Sequence, residues 1–433
     1  MKKIGRAAIA VLVTLAAVMA FAGCSKKTDT ASATGGASQT LTIWSWGADL
    51  EKTQREEAVK VFQKAHPEIK VEHVVLPTAD SVWDQKSAAA YAAGNAGDVM
   101  QMSPDYYGQM SQYFEDLNPY IKRDNIDLDA VVTGGMMNGY YRPNGKLEAL
   151  PLLANCFVYL YNKELFDKAG VPYPTDDWTW EDVARIAPRF VSGAGVNHTY
   201  FMVNHWVNPN FATISMGGKP YTSDFKQVLL DSAEVGAGLD LFGNLVKGGA
   251  LPDAVAALTL PKEQLFVSGK AAVFPAGGFE IATIVEEIGD SFQWGAVLPP
   301  KDTKGLNTNI TYATGYAMNA AAKNKDAAWL FLKEVSFAND DIARQTMKVG
   351  MPANKKIADN DFARIAYGPL TNAKYVEGLA TSQLNLWGGA LAAAGDQWTQ
   401  MWEAVTVEGL SAKDAQAKYF PLVQKAYSEL NIQ

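Results

Sequence analysis

The sequence predicts an α/β protein built as two units in tandem, each a doubly wound, mostly parallel sheet flanked by helices. Three observations carry that prediction. Short apolar or alternating runs take turns with helical stripes from residue 41 onward. The pattern restarts after Pro151. The chain has 433 residues, more than one core of about 250–300 residues encloses. The composition, 48% hydrophobic and 19% charged, is that of a globular chain and excludes disordered and fibrous classes.

The first strand is Leu41-Thr-Ile-Trp-Ser-Trp46, whose alternation puts Trp44 and Trp46 on one face. Apolar Ala58, Val61, Phe62 and Ala65 make a helical stripe over 51–65, stopped by His66-Pro67. A strand at 69–75, a helix at 82–93 and a short strand at 98–102 complete the first run. After Pro151 come a strand at 157–161, a helix at 180–190, a strand at 271–274 and a helix at 279–288. The end of the chain reads as helical, most clearly at 327–335 and 412–430. Ligands of open α/β sheets bind beyond the carboxyl ends of the strands, which nominates 44–49, 102–107 and 275–279. A cleft between the two units is the natural pocket.

The first 24 residues carry a separate signal. Lys2, Lys3 and Arg6 precede an apolar run from Ala7 to Ala22, then Gly23 and Cys24. This resembles a bacterial lipoprotein signal, with Cys24 as the lipidated first residue of the mature chain; a retained membrane helix is the rival reading. Removing the three cations takes the charge from −8 to about −11. Residues 25–40, rich in Ser, Thr, Ala, Gly and Lys, read as a tether with a reach of about 20–25 Å. The working domain is therefore expected on the outer side of the membrane, exposed or periplasmic, held by a lipid anchor.

A search for chemistry excludes most classes. The acidic balance and lack of a basic face argue against nucleic acid. Gly134-Gly135 and Gly277-Gly278 lack the spacing and lysine of a phosphate loop. Of the four histidines, His66, His73, His198 and His205, none has metal-ligand spacing. No nucleophile elbow is present, and Cys156, in an apolar run, reads as a packed thiol. A glycosidase needs only two facing carboxylates, so that reading stays open. What the chain does supply is rings: 11 Trp, 18 Tyr and 18 Phe. Trp83, Tyr106, Tyr107, Trp206, Phe279, Tyr312 and Trp387 stand near Gly, Pro or Asn, as loop rings do. Such rings offer flat apolar faces to the C–H faces of a pyranose, although each taken singly fits a core better, except Trp46, Trp206 and Trp387, whose neighbourhoods read as loops.

Several motifs together then resemble the extracellular solute-binding proteins of ABC importers, specifically the carbohydrate-binding family that includes maltose-binding protein. They are Gly145-Lys-Leu-Glu-Ala-Leu-Pro151, Phe157-Val-Tyr-Leu-Tyr-Asn-Lys-Glu-Leu-Phe166, Trp178-Thr-Trp180-Glu-Asp, Gly269-Lys-Ala-Ala, Gly277-Gly278-Phe279, Asn324-Lys-Asp-Ala-Ala-Trp-Leu-Phe331 and Met351-Pro352. The resemblance implies a two-lobed periplasmic-binding-protein fold (type II) with the ligand cleft between lobes. Lobe one would hold 41–152 plus 312–352, and lobe two 157–300 plus 356–433, with crossings near 152–156, 299–311 and 352–356. It implies a sugar, an oligosaccharide by preference, captured by lobe closure and handed to a permease, with no catalysis, no cofactor and a monomeric state.

Site residues implied by the resemblance are Trp46, Asp105, Asn155, Trp206, Gly277, Gly278, Phe279 and Trp387, with Trp402 as a packing residue or a further ring. Asn155 stands where maltose-binding members have glutamate, a departure that leaves the sugar open. Asp105 is either a hydroxyl acceptor or a solvated loop carboxylate; Gly277 and Gly278 either admit the ligand to the backbone or make the turn. Two other readings compete: a ferric-ion receptor using Tyr106-Tyr107 or Tyr140-Tyr141 as phenolate ligands, and a secreted glycoside hydrolase.

Overall fold

The computed structural model describes residues 39–47, 49–77, 82–104, 110–142, 144–222, 227–253, 261–306, 308–380, 382–384 and 392–429. Cys24, Asp105, Tyr106, Tyr107 and Trp387 lie outside the described residues. The first strand, β1 (Gln39–Trp46), alternates as its sequence demands: Leu41, Ile43 and Ser45 are buried, Trp44 and Trp46 half-buried. Helix Asp49–Ala65 lays Ala58, Val59 and Phe62 into the core. β2 (Ile69–Leu76) and β3 (Val99–Met102), separated by helix Val82–Ala92, both pair parallel with β1.

β4 (Ala149–Asn155) is followed, after Cys156 alone, by β5 (Phe157–Asn162). Then come β6 (Tyr200–Met202), β7 (Ala271–Gly277), β8 (Trp294–Val297), β9 (Ile310–Met318) and β10 (Met351–Pro352). Two main sheets result. The first has the order β10-β4-β9-β3-β1-β2, with Gln383–Leu384 laid parallel against the start of β9; the second has the order β6-β7-β5-β8. A single residue thus carries the chain from one sheet into the other.

The expectation of mostly parallel sheets needs correcting, because both are mixed. β9 runs antiparallel to β3 and β4, β10 antiparallel to β4, and β5 antiparallel to β7 and β8. Alternating strand and helix implies parallel pairing only when each connection returns to its own sheet. Here β5 is entered directly from β4 of the first sheet, and β9 returns from the second, so their directions are set by the crossing.

Local chemistry fixes several boundaries. Asn162 caps helix Lys163–Ala169 by accepting from Leu165 N–H, and Gly170 ends it at φ 63°. Thr179 and Asp182 form a reciprocal capping box on helix Trp180–Ile186, a device of about 1 kcal/mol. That helix is shorter than the expected 180–190: it tightens to a 3-10 turn at Ala187–Phe190, where Pro188 has no N–H for an α-helical bond. Two hydrophobic clusters form, the first around the first sheet and one face of the second (Val158, Leu160, Phe274), the second on the other face of the second sheet. Phe62, Trp329, Phe331 and Tyr316 belong to the first cluster, and Phe157, Tyr159, Trp180, Phe211 and Phe242 to the second. Trp402, on helix Ala392–Thr406, packs on Phe242 at 5.6 Å between centroids, which makes it a core ring.

Candidate ligand site

Strand direction brings two edges together. β1, β3 and β4 run the same way, so Trp46, Met102 and Asn155 end on one edge of the first sheet, where Asn155 is opposite Tyr312 of β9. On the second sheet, Phe157 opens β5 opposite Gly277 at the end of β7, and β6 runs parallel to β7 toward the same edge. The two edges are joined through Cys156.

Trp206 follows β6 in a turn and is 51% exposed; Phe279 follows β7 and is 42% exposed. Their ring centroids are 6.5 Å apart with planes 29° from parallel. Tyr312 meets Trp206 edge-on at 4.8 Å, and fully buried Phe157 lies under all three rings at 5.9–6.5 Å. Asn210 Nδ2 donates to the Tyr312 hydroxyl at 2.8 Å. Two rings of this size, half in solvent above an aromatic floor, leave apolar faces open that core packing would have covered.

Behind the platform is a polar string that starts at fully buried His205 and runs out to half-buried Glu280 and Lys262. His205, next to Trp206, has Nε2 at 3.3 Å from both carboxylate oxygens of Glu280, next to Phe279. His205 Nδ1 accepts from Val207 N–H at 3.3 Å, so the proton sits on Nε2 and the ring is neutral. Burial pushes the imidazole pKa down, against the pull of Glu280. Glu280 also accepts from Gly277 N–H at 3.0 Å and pairs with Lys262, whose ammonium stands over the Phe274 ring. Burial would raise the Glu280 pKa, but His205 and Lys262 hold it below the usual value.

Asn155 ends β4 and reaches both sheets. Its Nδ2 donates to the Val349 carbonyl at 3.2 Å, while its Oδ1 is buried without a hydrogen-bond partner. Glycines hem in this amide: a Cβ on Gly278 would sit 2.6 Å from Oδ1, and one on Gly350 would sit 2.8 Å from Nδ2. Gly277 in turn has no room for a Cβ because the Phe279 ring folds over it. Neither Gly277 nor Gly278 has a positive φ, so the space needed is for side chains that fold onto the backbone.

Trp46 at the end of β1 meets Trp83 of helix Val82–Ala92, rings 5.1 Å apart and edge-on, and its backbone N–H donates to Gln101 Oε1 at 3.0 Å. The structure thus groups Asn155, Trp206, Gly277, Gly278 and Phe279, and sets Trp46 at the end of the first sheet's edge. The sequence offers Tyr312 only as a loop ring and His205 only as a histidine without metal-ligand spacing, and it singles out none of Glu280, Lys262 and Asn210. Adjacency of His205 to Trp206 and of Glu280 to Phe279 was the available hint. Of the tyrosine pairs, Tyr140 is fully buried and Tyr141 39% exposed.

Known proteins share this architecture. A sugar-binding protein MalE from Xanthomonas citri superposes with a TM-score of 0.77, at 19% identity over 90% of this chain and 98% of its own. An ABC substrate-binding protein from Listeria monocytogenes, in complex with cycloalternan, gives 0.74 at 21% identity over 91% and 98%. In sequence, the galactooligosaccharide-binding protein of Bacillus subtilis (strain 168) is 22% identical over 350 residues, 79% of each chain. The two-lobed α/β fold is the one these structures share. Residues 47–337 match the sequence profile described as bacterial extracellular solute-binding protein, which spans more than half of the chain, and the protein belongs to that family.

Proposed function

We propose that this chain captures a sugar, an oligosaccharide by preference, between its two lobes and delivers it to an ABC importer permease. The observation that carries the reading is the Trp206–Phe279 pair, half-exposed and close to parallel above buried Phe157. Aromatic faces stack on the C–H faces of pyranoses, and amides and phenols bond their hydroxyls. Asn155, Asn210 and Tyr312 supply those polar groups around the platform. The relatives named for galactooligosaccharide and solved with cycloalternan support the same ligand class.

In this reading Trp46, Asn155, Trp206, Gly277, Gly278 and Phe279 line the ligand, with Asp105 and Trp387 as further members. Lobe one is 41–152 plus 312–352 and lobe two 157–300 plus 356–433. A ligand touching both favours the closed state by its greater affinity for it. The chain acts as a monomer, binds without turnover, and is held at the outer membrane face through Cys24.

A thermal-shift screen of the full chain tests this, with glucose, maltose, maltotriose, raffinose and galactobiose as ligands. Ferric citrate and glycerol 3-phosphate serve as controls. A ligand at about 100 times its Kd stabilises by about 2.7 kcal/mol, which raises the melting temperature by several degrees. A rise with one sugar series is expected. A rise with iron or with glycerol 3-phosphate, and with no sugar, would overturn the sugar reading.

A further inference from the structure

We propose that the His205–Glu280–Lys262 string is a positioning device that sets the tilt and spacing of Trp206 and Phe279, and that acidification releases it. The inference rests on the reading that these two rings form the sugar platform. Each ring is the sequence neighbour of one member of the string. Trp206 stands in a turn, and its backbone is tied down because His205 Nδ1 takes the Val207 N–H and His205 Nε2–H reaches Glu280. Phe279 stands in the turn after β7, and Glu280 closes that turn by accepting the Gly277 N–H. One carboxylate therefore holds two turns that are 75 residues apart in sequence.

A platform needs rigid rings, because ordering them only on binding would consume part of the stacking energy. Phe157 lies against both rings and Tyr312 against Trp206, while the string ties down the two turns that carry them. The arrangement has one protonation state that fits. A second proton on His205 would fall on Nδ1 and confront Val207 N–H. The groups facing His205 are Glu280 from the turn after β7 and Lys262 and Glu263 from helix Lys262–Val267; Phe157 and Phe274, the rings against it, do not titrate. The neutral ring is favoured by burial, so the device holds at neutral pH and loosens as pH falls below the ordinary histidine value.

The test is fluorine NMR of the full chain carrying 5-fluorotryptophan, without sugar, the Trp206 line being assigned with Trp206→Phe. Glu280→Ala is expected to shift and broaden that line. Glu280→Gln keeps an acceptor for His205 and Gly277, and is expected to restore it. Acidification from pH 8 to 5 should move the line in the parent chain and leave it fixed in His205→Gln. Should Glu280→Ala fail to fold, Lys262→Met and the pH series carry the test. A Trp206 line that ignores Glu280→Ala or Lys262→Met and does not titrate through His205 would overturn the proposal, whether or not sugar binds. Where the parent binds maltotriose, the affinity of Glu280→Ala is expected to fall about three- to tenfold. Absence of sugar binding in the parent speaks only to the function proposed above, since the fluorine line is read without ligand.

Discussion

Asn309 makes with Phe157 the two hydrogen bonds that a neighbouring strand would make. Its Oδ1 accepts the Phe157 N–H at 3.0 Å and its Nδ2 donates to the Phe157 carbonyl at 2.8 Å. On its other side Phe157 pairs with Gly277 of β7. β8 pairs with β5 only from Tyr159 onward, so one side chain extends the sheet to the first residue after the crossing.

Replacing that amide should therefore be costly. Asn309 is fully buried and also accepts the Ile310 N–H. Asn309→Ala leaves buried backbone groups of Phe157 without partners and is expected to destabilise by about 2–4 kcal/mol. Urea unfolding of the two proteins checks it; a loss under about 0.5 kcal/mol would show that water takes over both bonds.

The glycines around Asn155 should resist even one methyl group. Gly278→Ala pushes on Asn155 Oδ1 and Gly350→Ala on its Nδ2. Each is expected to cost about 1–3 kcal/mol of stability and to weaken sugar binding. Both press on the same amide, so the double variant should cost less than the sum of the singles. Calorimetric melts of the three variants measure that coupling.

Trp206→Ala and Phe279→Ala should separate binding from folding. Both rings are about half exposed, so stability should change by no more than about 1 kcal/mol. Sugar affinity is expected to drop about tenfold or more for each. Titration calorimetry with the sugar that gave the thermal shift reads the affinity, and a drop in melting temperature with unchanged affinity would return both rings to packing.

His73 predicts a pH dependence on the first sheet. Burial holds its imidazole down at about 4, with Arg55 adding to the effect and Glu56 opposing it. Its Nε2 lies 2.9 Å from Ser45 Oγ, which in turn meets the Tyr316 hydroxyl at 2.8 Å. The folded value is below the unfolded 6.5, so the contribution is complete above about pH 6.5 and lost as pH falls toward 4. Its size is about 1–3 kcal/mol. In His73→Gln the fall in stability between pH 7 and 4 should be smaller than in the parent, as chemical unfolding at each pH would measure.

The sequence revealed what depends on neighbours along the chain. The alternation of β1, the stripe of the helix after it and the rings set just past strand ends are all local patterns. Strand direction was hidden, because the step from β4 to β5 leaves one sheet for another within a single residue. The reason for Gly277 and Gly278 was hidden too: they clear space for Phe279 and Asn155, and nothing in a double glycine distinguishes that from a turn. Asn309 resembles any loop asparagine until Phe157, 152 positions away, is laid beside it.

The single residue between β4 and β5 has a mechanical meaning. A slack connector would let one sheet slide past the other; Cys156, fully buried and with its Sγ–H on the Tyr375 carbonyl, has no length to give. At this crossing, any turning of the sheets falls on the backbone torsions of Asn155, Cys156 and Phe157, as in a short torsion rod. Such a link stores twist and permits little translation. In the lobe closure proposed above, the connector therefore leaves rotation as the available motion at this crossing and resists sliding of one edge along the other.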